Sequence, residues 1–222
     1  MTKQYQPFES YLDYLDAESQ FLKALCTKLG IQQHLDELSS TENQMESKTI
    51  VGKTEKVQSE NLQLLLSKAL KIEQDTRNRI DARLSHTIQS YGDSHLGIQQ
   101  MESFYKLTGE ERLLLTVLSI AGISPRTLND SVASLALYGP LSVEDLLAVV
   151  LNPQDFQSWS EGKDMVTKLV KQGLVTLDFI FPESWPESIF GATARLSTNA
   201  FGCITGMDGG CKDVEGADMD SP

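Results

Sequence analysis

Few residues in this chain stand at spacings that do chemistry. Gly52-Lys53-Thr54 has the ending of a phosphate-binding loop. That loop needs G-x-x-x-x-G-K-[ST] after a buried strand, because its first glycine makes the turn that lets backbone amides cradle phosphate. Ser47 occupies the first position and ENQMES is no strand, so Lys53 reads as part of a chance tripeptide in a linker. Asp178 in VTLDFI has the hydrophobic lead of a metal-binding ATPase strand but lacks the following acid, and reads as a strand residue. His34, His86 and His95 are far apart, with no Cys, Asp or Glu at metal-ligand spacing. Cys26, Cys203 and Cys211 are odd in number, contain no C-x-x-C pair and are too few for a disulfide framework. No G-x-S-x-G nucleophile motif occurs. Glu110-Glu111 and Glu144-Asp145 fall at helix starts, where capping accounts for them. The expectation is a non-enzymatic chain with no catalytic residue, no metal and no cofactor.

Residues suited to recognition are easier to find. Lys163, Lys168 and Lys171 share a helix and could meet nucleic-acid phosphates, with Gln172 beside them. Glu161 and Asp164 lie on the same helix, and the strand and loop that follow carry Asp178, Glu183 and Glu187 against Arg195. An acidic flank of that kind repels phosphate, so these lysines support DNA binding only as the alternative to protein docking. Trp185, held between prolines in PESWPES, is a candidate docking anchor, since Trp is enriched at binding hot spots.

The whole chain leans the same way. Its 222 residues carry a net charge of −12, with a pI of about 4.7. Residues 108–222, which hold the lysine-bearing helix, have 7 basic against 16 acidic side chains. That balance favours protein partners over nucleic acid. The N-terminus lacks a signal-peptide pattern, and the longest apolar run, LLLTVLSIAGI, is too short to span a bilayer. A cytoplasmic protein without membrane contact is expected.

The elements that must position these residues fall into two halves. Phe8, Leu12, Leu15, Leu22, Cys26 and Leu29 recur at four- and three-residue steps, with Ser19 filling the one polar position, giving one apolar stripe on a helix that Gly30 would end. This amphipathic helix occupies 1–31 and a polar linker 32–58. Ser59 then caps a helical arm over 59–106, broken at Gly92-Asp93. Phe8, Leu12, Leu15 and Leu22 are the expected partner-binding residues of the arm, and the partner could be a second copy. The N-terminal part is thus a helical hairpin or coiled-coil arm.

At Thr108 the character changes. Thr108-Gly-Glu-Glu111 is a capping box opening a strongly apolar helix. Asp130 is expected to cap a short helix to Tyr138, and Ser142 caps the next. A helix from about Glu161 to Gly173 precedes a strand over Leu174–Phe181, a loop bracketed by Pro182 and Pro186, and a return strand over Ala192–Leu196. Ser197 caps a last helix. This order is that of a winged helix-turn-helix over 107–206, with a disordered acidic tail over 207–222. The fold class is therefore mainly α with a small β wing.

LTGEERLLLTVLSIAGISPRTLNDSV, with the winged pattern ending RLSTNAFGCITG, resembles the winged-helix domain preceding the ATPase module of bacterial AAA ATPases. Leu107, Glu111, Arg112, Leu114, Leu115, Leu196, Ser197 and Gly206 carry the likeness. The basic D-D-x-x-R-R-R-P-T stretch associated with that domain is replaced by ASLALYGPLSVED. The resemblance implies a targeting region whose nucleotide chemistry lies outside these residues.

Overall fold

The computed structural model describes residues 5–44, 52–92, 95–135, 137, 141–179 and 189–206. Within them the chain is mainly helical, with one two-stranded antiparallel sheet. Helix α1 (Tyr11–Gln44) runs antiparallel to α2 (Gly52–Tyr91). The register is fixed by ion pairs whose α1 partner advances as the α2 partner recedes: Asp13 with Arg83, Glu18 with Arg77, Lys28 with Glu73. The N-terminal strap is fastened to α2 as well. Phe8 N–H donates to Thr87 Oγ1 at 2.8 Å, and the Arg83 guanidinium lies 3.9 Å from the Phe8 ring centroid.

Both helices outrun their expected limits. Residues 32–44 and 52–58, expected as linker, are helical, and Ser59 lies inside α2 rather than at its cap. Ile31, Leu35 and Leu38 continue an apolar stripe past Gly30 and carry the helix forward. Gly30 is no cap. A Cβ there would stand 2.7 Å from the Ser134 carbonyl oxygen, so glycine permits a close backbone approach instead.

Helix α3 (Gly97–Tyr105) ends on Lys106 in the left-handed region, and α4 (Gly109–Ile123) follows directly. The Thr108 box forms as expected: Glu111 N–H donates to Thr108 Oγ1 at 3.2 Å, and Thr108 N–H donates to Glu111 Oε2 at 2.8 Å. Asp130, expected to start a helix, instead lies inside α5 (Pro125–Val132), which Ser124 caps. Pro125 suits that first turn because its missing N–H would have had no helical partner. A 3-10 turn (Ala133–Leu135) ends this segment.

The reciprocal bonds of Ser142 and Asp145 start α6 (Val143–Val150). Helix α7 (Phe156–Lys171) opens five residues before the expected Glu161, because Asp155 and Ser158 also cap each other's amides. Strands β1 (Val175–Asp178) and β2 (Thr193–Leu196) pair Val175 with Leu196 and Asp178 with Thr193. An isolated bridge joins Ser142 to Thr193, and Val143 N–H donates to the Ala192 carbonyl at 2.8 Å. Helix α8 (Thr198–Thr205) starts on its Ser197 cap.

The two halves share one hydrophobic cluster, from Phe8 to Ile204. Helix α1 packs on α4, α5 and α6 as well as on α2, and α3 packs on α8. That last contact depends on Gly97, where a Cβ would overlap the Cys203 carbonyl.

Candidate functional site

The C-terminal half encloses an apolar cavity of about 370 Å³. Its walls come from five elements: Leu118, Ala121 and Gly122 of α4, Pro125 and Leu128 of α5, Leu141 and Leu146 at α6, residues 193–196 of β2, and Phe201 of α8. Small residues, Ala121, Gly122 and Ala194, stand where larger ones would fill the volume. Arg195 is the single charged group among the described lining residues. Its Nε pairs with Asp178 Oδ2 at 2.8 Å, with both side chains more than half exposed. An apolar space of this size, with a few polar groups at the edge, suits an aliphatic or aromatic group. The described lining residues include no acid–base pair.

A second cluster is polar and buried, between α1, α2 and α4. Glu18, 2% exposed, accepts the Tyr14 hydroxyl at 2.8 Å and Arg77 Nη1 at 3.3 Å. Burial, and then the Glu18 charge, push the Tyr14 phenol well above its usual value. Tyr11 is raised by burial too. Both phenols therefore stay protonated at neutral pH, and Tyr14 acts as a donor to Glu18. The Arg77 bond ties α1 to α2.

The recognition residues scatter. Phe8, Leu15 and Leu22 are buried in the chain's own core, so in this fold they hold α1 against its neighbours and cannot also meet a partner. The stripe predicts burial correctly but not against what. Leu12 differs, at 65% exposed. Trp185 and the tail over 207–222 lie outside the described residues. Lys171 is exposed and Lys163 half-buried. Lys168 binds both carboxylate oxygens of buried Glu111, at 2.7 and 2.9 Å, joining α7 to the start of α4.

The residues examined for chemistry have structural roles. Lys53 lies in the first turn of α2, and Asp178 pairs with Arg195. His95 Nε2 is 3.2 Å from the Phe8 carbonyl oxygen, which requires its N–H on that side. His34 lies 3.4 Å from Glu37. Cys26 is free and buried, its thiol pushed up to about 12 by burial, and Cys203 is disulfide-bonded. No group of three or more potential metal ligands occurs among the described residues. No described helix is long and apolar enough to cross a membrane.

Sequence reading missed the cavity and the Glu18–Arg77 pair. The pair joins residues 59 positions apart, and the cavity is a shortage of volume shared by five elements, which no local pattern records. No protein-family description, curated protein or solved structure matches this chain.

Proposed function

We propose that this chain is a non-enzymatic protein-interaction module whose residues 107–206 form a winged helix-turn-helix used for docking. The apolar cavity carries the reading, because it offers a socket for an apolar side chain and its described lining residues include no acid–base pair. The order α6, α7, β1, β2 supports the winged-helix description, as does the isolated Ser142–Thr193 bridge at the edge of the two strands. The α1–α2 hairpin is the associating arm. On the resemblance to the bacterial AAA ATPases, the module would target an ATPase whose catalytic part lies outside these residues.

DNA regulation is the weaker reading, since Lys168, central among the three lysines, is engaged with Glu111. A cytoplasmic location belongs to the same proposal.

The test places a photo-crosslinking side chain at Asn129, on the cavity lining, in the wild type and in Ala121→Leu, which narrows the cavity. The expected result is a defined partner cross-linked to the wild type and lost from Ala121→Leu, with helicity unchanged. An identical cross-link in the filled variant refutes the socket.

A further inference from the structure

Beyond Gly30 the α1–α2 hairpin carries more apolar surface than two helices can cover. Between residues 31 and 40 of α1 only Leu35 is buried, with Ile31 and Leu38 half-buried. That is a single stripe, and it matches the single covered stripe of α2 formed by Leu62, Leu66 and Ala69. Helix α2 has a second ridge beside the first. Leu65, Lys68 and Ile72 follow at three- and four-residue steps, with Leu64 one turn before Lys68. Leu64, Leu65 and Ile72 are 55%, 48% and 57% exposed. A helix with two apolar ridges is one built to lie between two neighbours, as in a four-helix bundle. Among the described residues one neighbour is present.

Charge identifies the other. Residues 61–72 of α2 contain Lys68 and Lys71 and no acid, whereas residues 30–40 of α1 contain Asp36 and Glu37 and no Lys or Arg. Lys68, Lys71 and Asp36 are exposed. The arm thus has a basic, leucine-rich edge on one helix and an acidic edge on the other. Two such arms laid antiparallel satisfy each other twice, as a two-fold interface requires, because each surface meets its complement on the partner.

We infer that the arm pairs with a second copy of this chain, the Leu65–Ile72 ridge of one α2 packing beside the Asp36 edge of the other copy's α1. This deepens the associating-arm part of the proposed function and is independent of the cavity.

Sedimentation equilibrium of the full chain across the micromolar range tests it. The wild type is expected to be a dimer, and Leu65→Glu with Ile72→Glu a monomer of unchanged far-ultraviolet helicity. Lys68→Glu is expected to weaken the dimer by about tenfold, and Asp36→Lys in the same chain to restore it. A monomeric wild type, a dimer that survives the double substitution, or a charge exchange that restores nothing overturns the inference. None of those outcomes alters cross-linking at Asn129, so the cavity reading stands or falls separately.

Discussion

The base of the α1–α2 hairpin and the cavity region of the C-terminal half are both built from helices packed on a shared core, yet they are organised oppositely. At the hairpin base, polar groups are buried and partly paired: Glu18 Oε1 accepts from both Tyr14 and Arg77, Glu18 Oε2 has no hydrogen-bond partner among the described residues, and Arg77 also lies over the Phe21 ring. Around the cavity the described walls are mostly aliphatic and aromatic, and the charged lining residue, Arg195, pairs with Asp178 at the surface. Directional bonds select one alignment of two long helices, since a slide by one turn takes Arg77 from Glu18 and leaves the buried carboxylate only the Tyr14 donor of its own helix. Apolar walls select no alignment and tolerate unfilled space. A site for exchanging partners is therefore expected in the second region, and a fixed frame in the first.

Two arginines break this comparison most directly. Arg77→Met keeps the packing on Phe21 but leaves Glu18 with only the Tyr14 donor, and is expected to lower stability by about 3 kcal/mol. Arg195→Met removes an exposed pair and is expected to change stability by less than about 0.5 kcal/mol. Urea unfolding of both variants measures the difference. Equal losses would mean that the buried cluster does not align the hairpin.

The phenols sharpen the same contrast through pH. Burial raises Tyr14 and Tyr11 above their unfolded value of about 10. Raised values mean that the fold favours the protonated form. Their contribution is therefore complete below pH 10 and lost as the pH rises beyond it. Tyr14→Phe is expected to cost about 1–2 kcal/mol at neutral pH by removing a donor from Glu18. It should also flatten the alkaline fall of Tm, with Tyr11→Phe flattening it further. An alkaline limb unchanged in the double variant would place the titration elsewhere.

What was legible in the sequence follows from the range of each interaction. The boxes at Thr108–Glu111 and Ser142–Asp145 are three-residue relations between known residue types, and both form. The Asp155–Ser158 box has the same geometry, but serine is not the usual third residue, and α7 was read as starting too late. Gly30 shows a deeper ambiguity. A missing Cβ serves a left-handed cap or a close approach equally well, and only the position of Ser134 decides between them. The stripe of Phe8, Leu15 and Leu22 announces a buried face without naming what buries it. The exposed ridge of α2 is a different case: Leu65 and Ile72 lie beside the covered stripe of Leu62, Leu66 and Ala69, and only their exposure separates the two.

The smallest effect comes from the carboxylate least like Glu18. Asp155 is fully exposed, and its carboxyl is held below the usual range mainly by the Ser158 side-chain hydrogen bond, with the Ser158 amide adding to it. A lowered value means that the ionised form is favoured in the fold. The cap therefore contributes fully above the unfolded value of about 3.9 and is lost as the pH falls through the lower, folded value. Asp155→Ala is expected to reduce Tm slightly at pH 7, and the gap to the wild type should close on acidification. Asp155→Asn still accepts from the Ser158 amide, since Asn is as good a cap as Asp, and should show little loss at any pH. Thermal melts of the three proteins from neutral to acid pH decide it. A gap between wild type and Asp155→Ala that persists at low pH would show that α7 is started by the packing of Trp159 on Phe190 rather than by its cap.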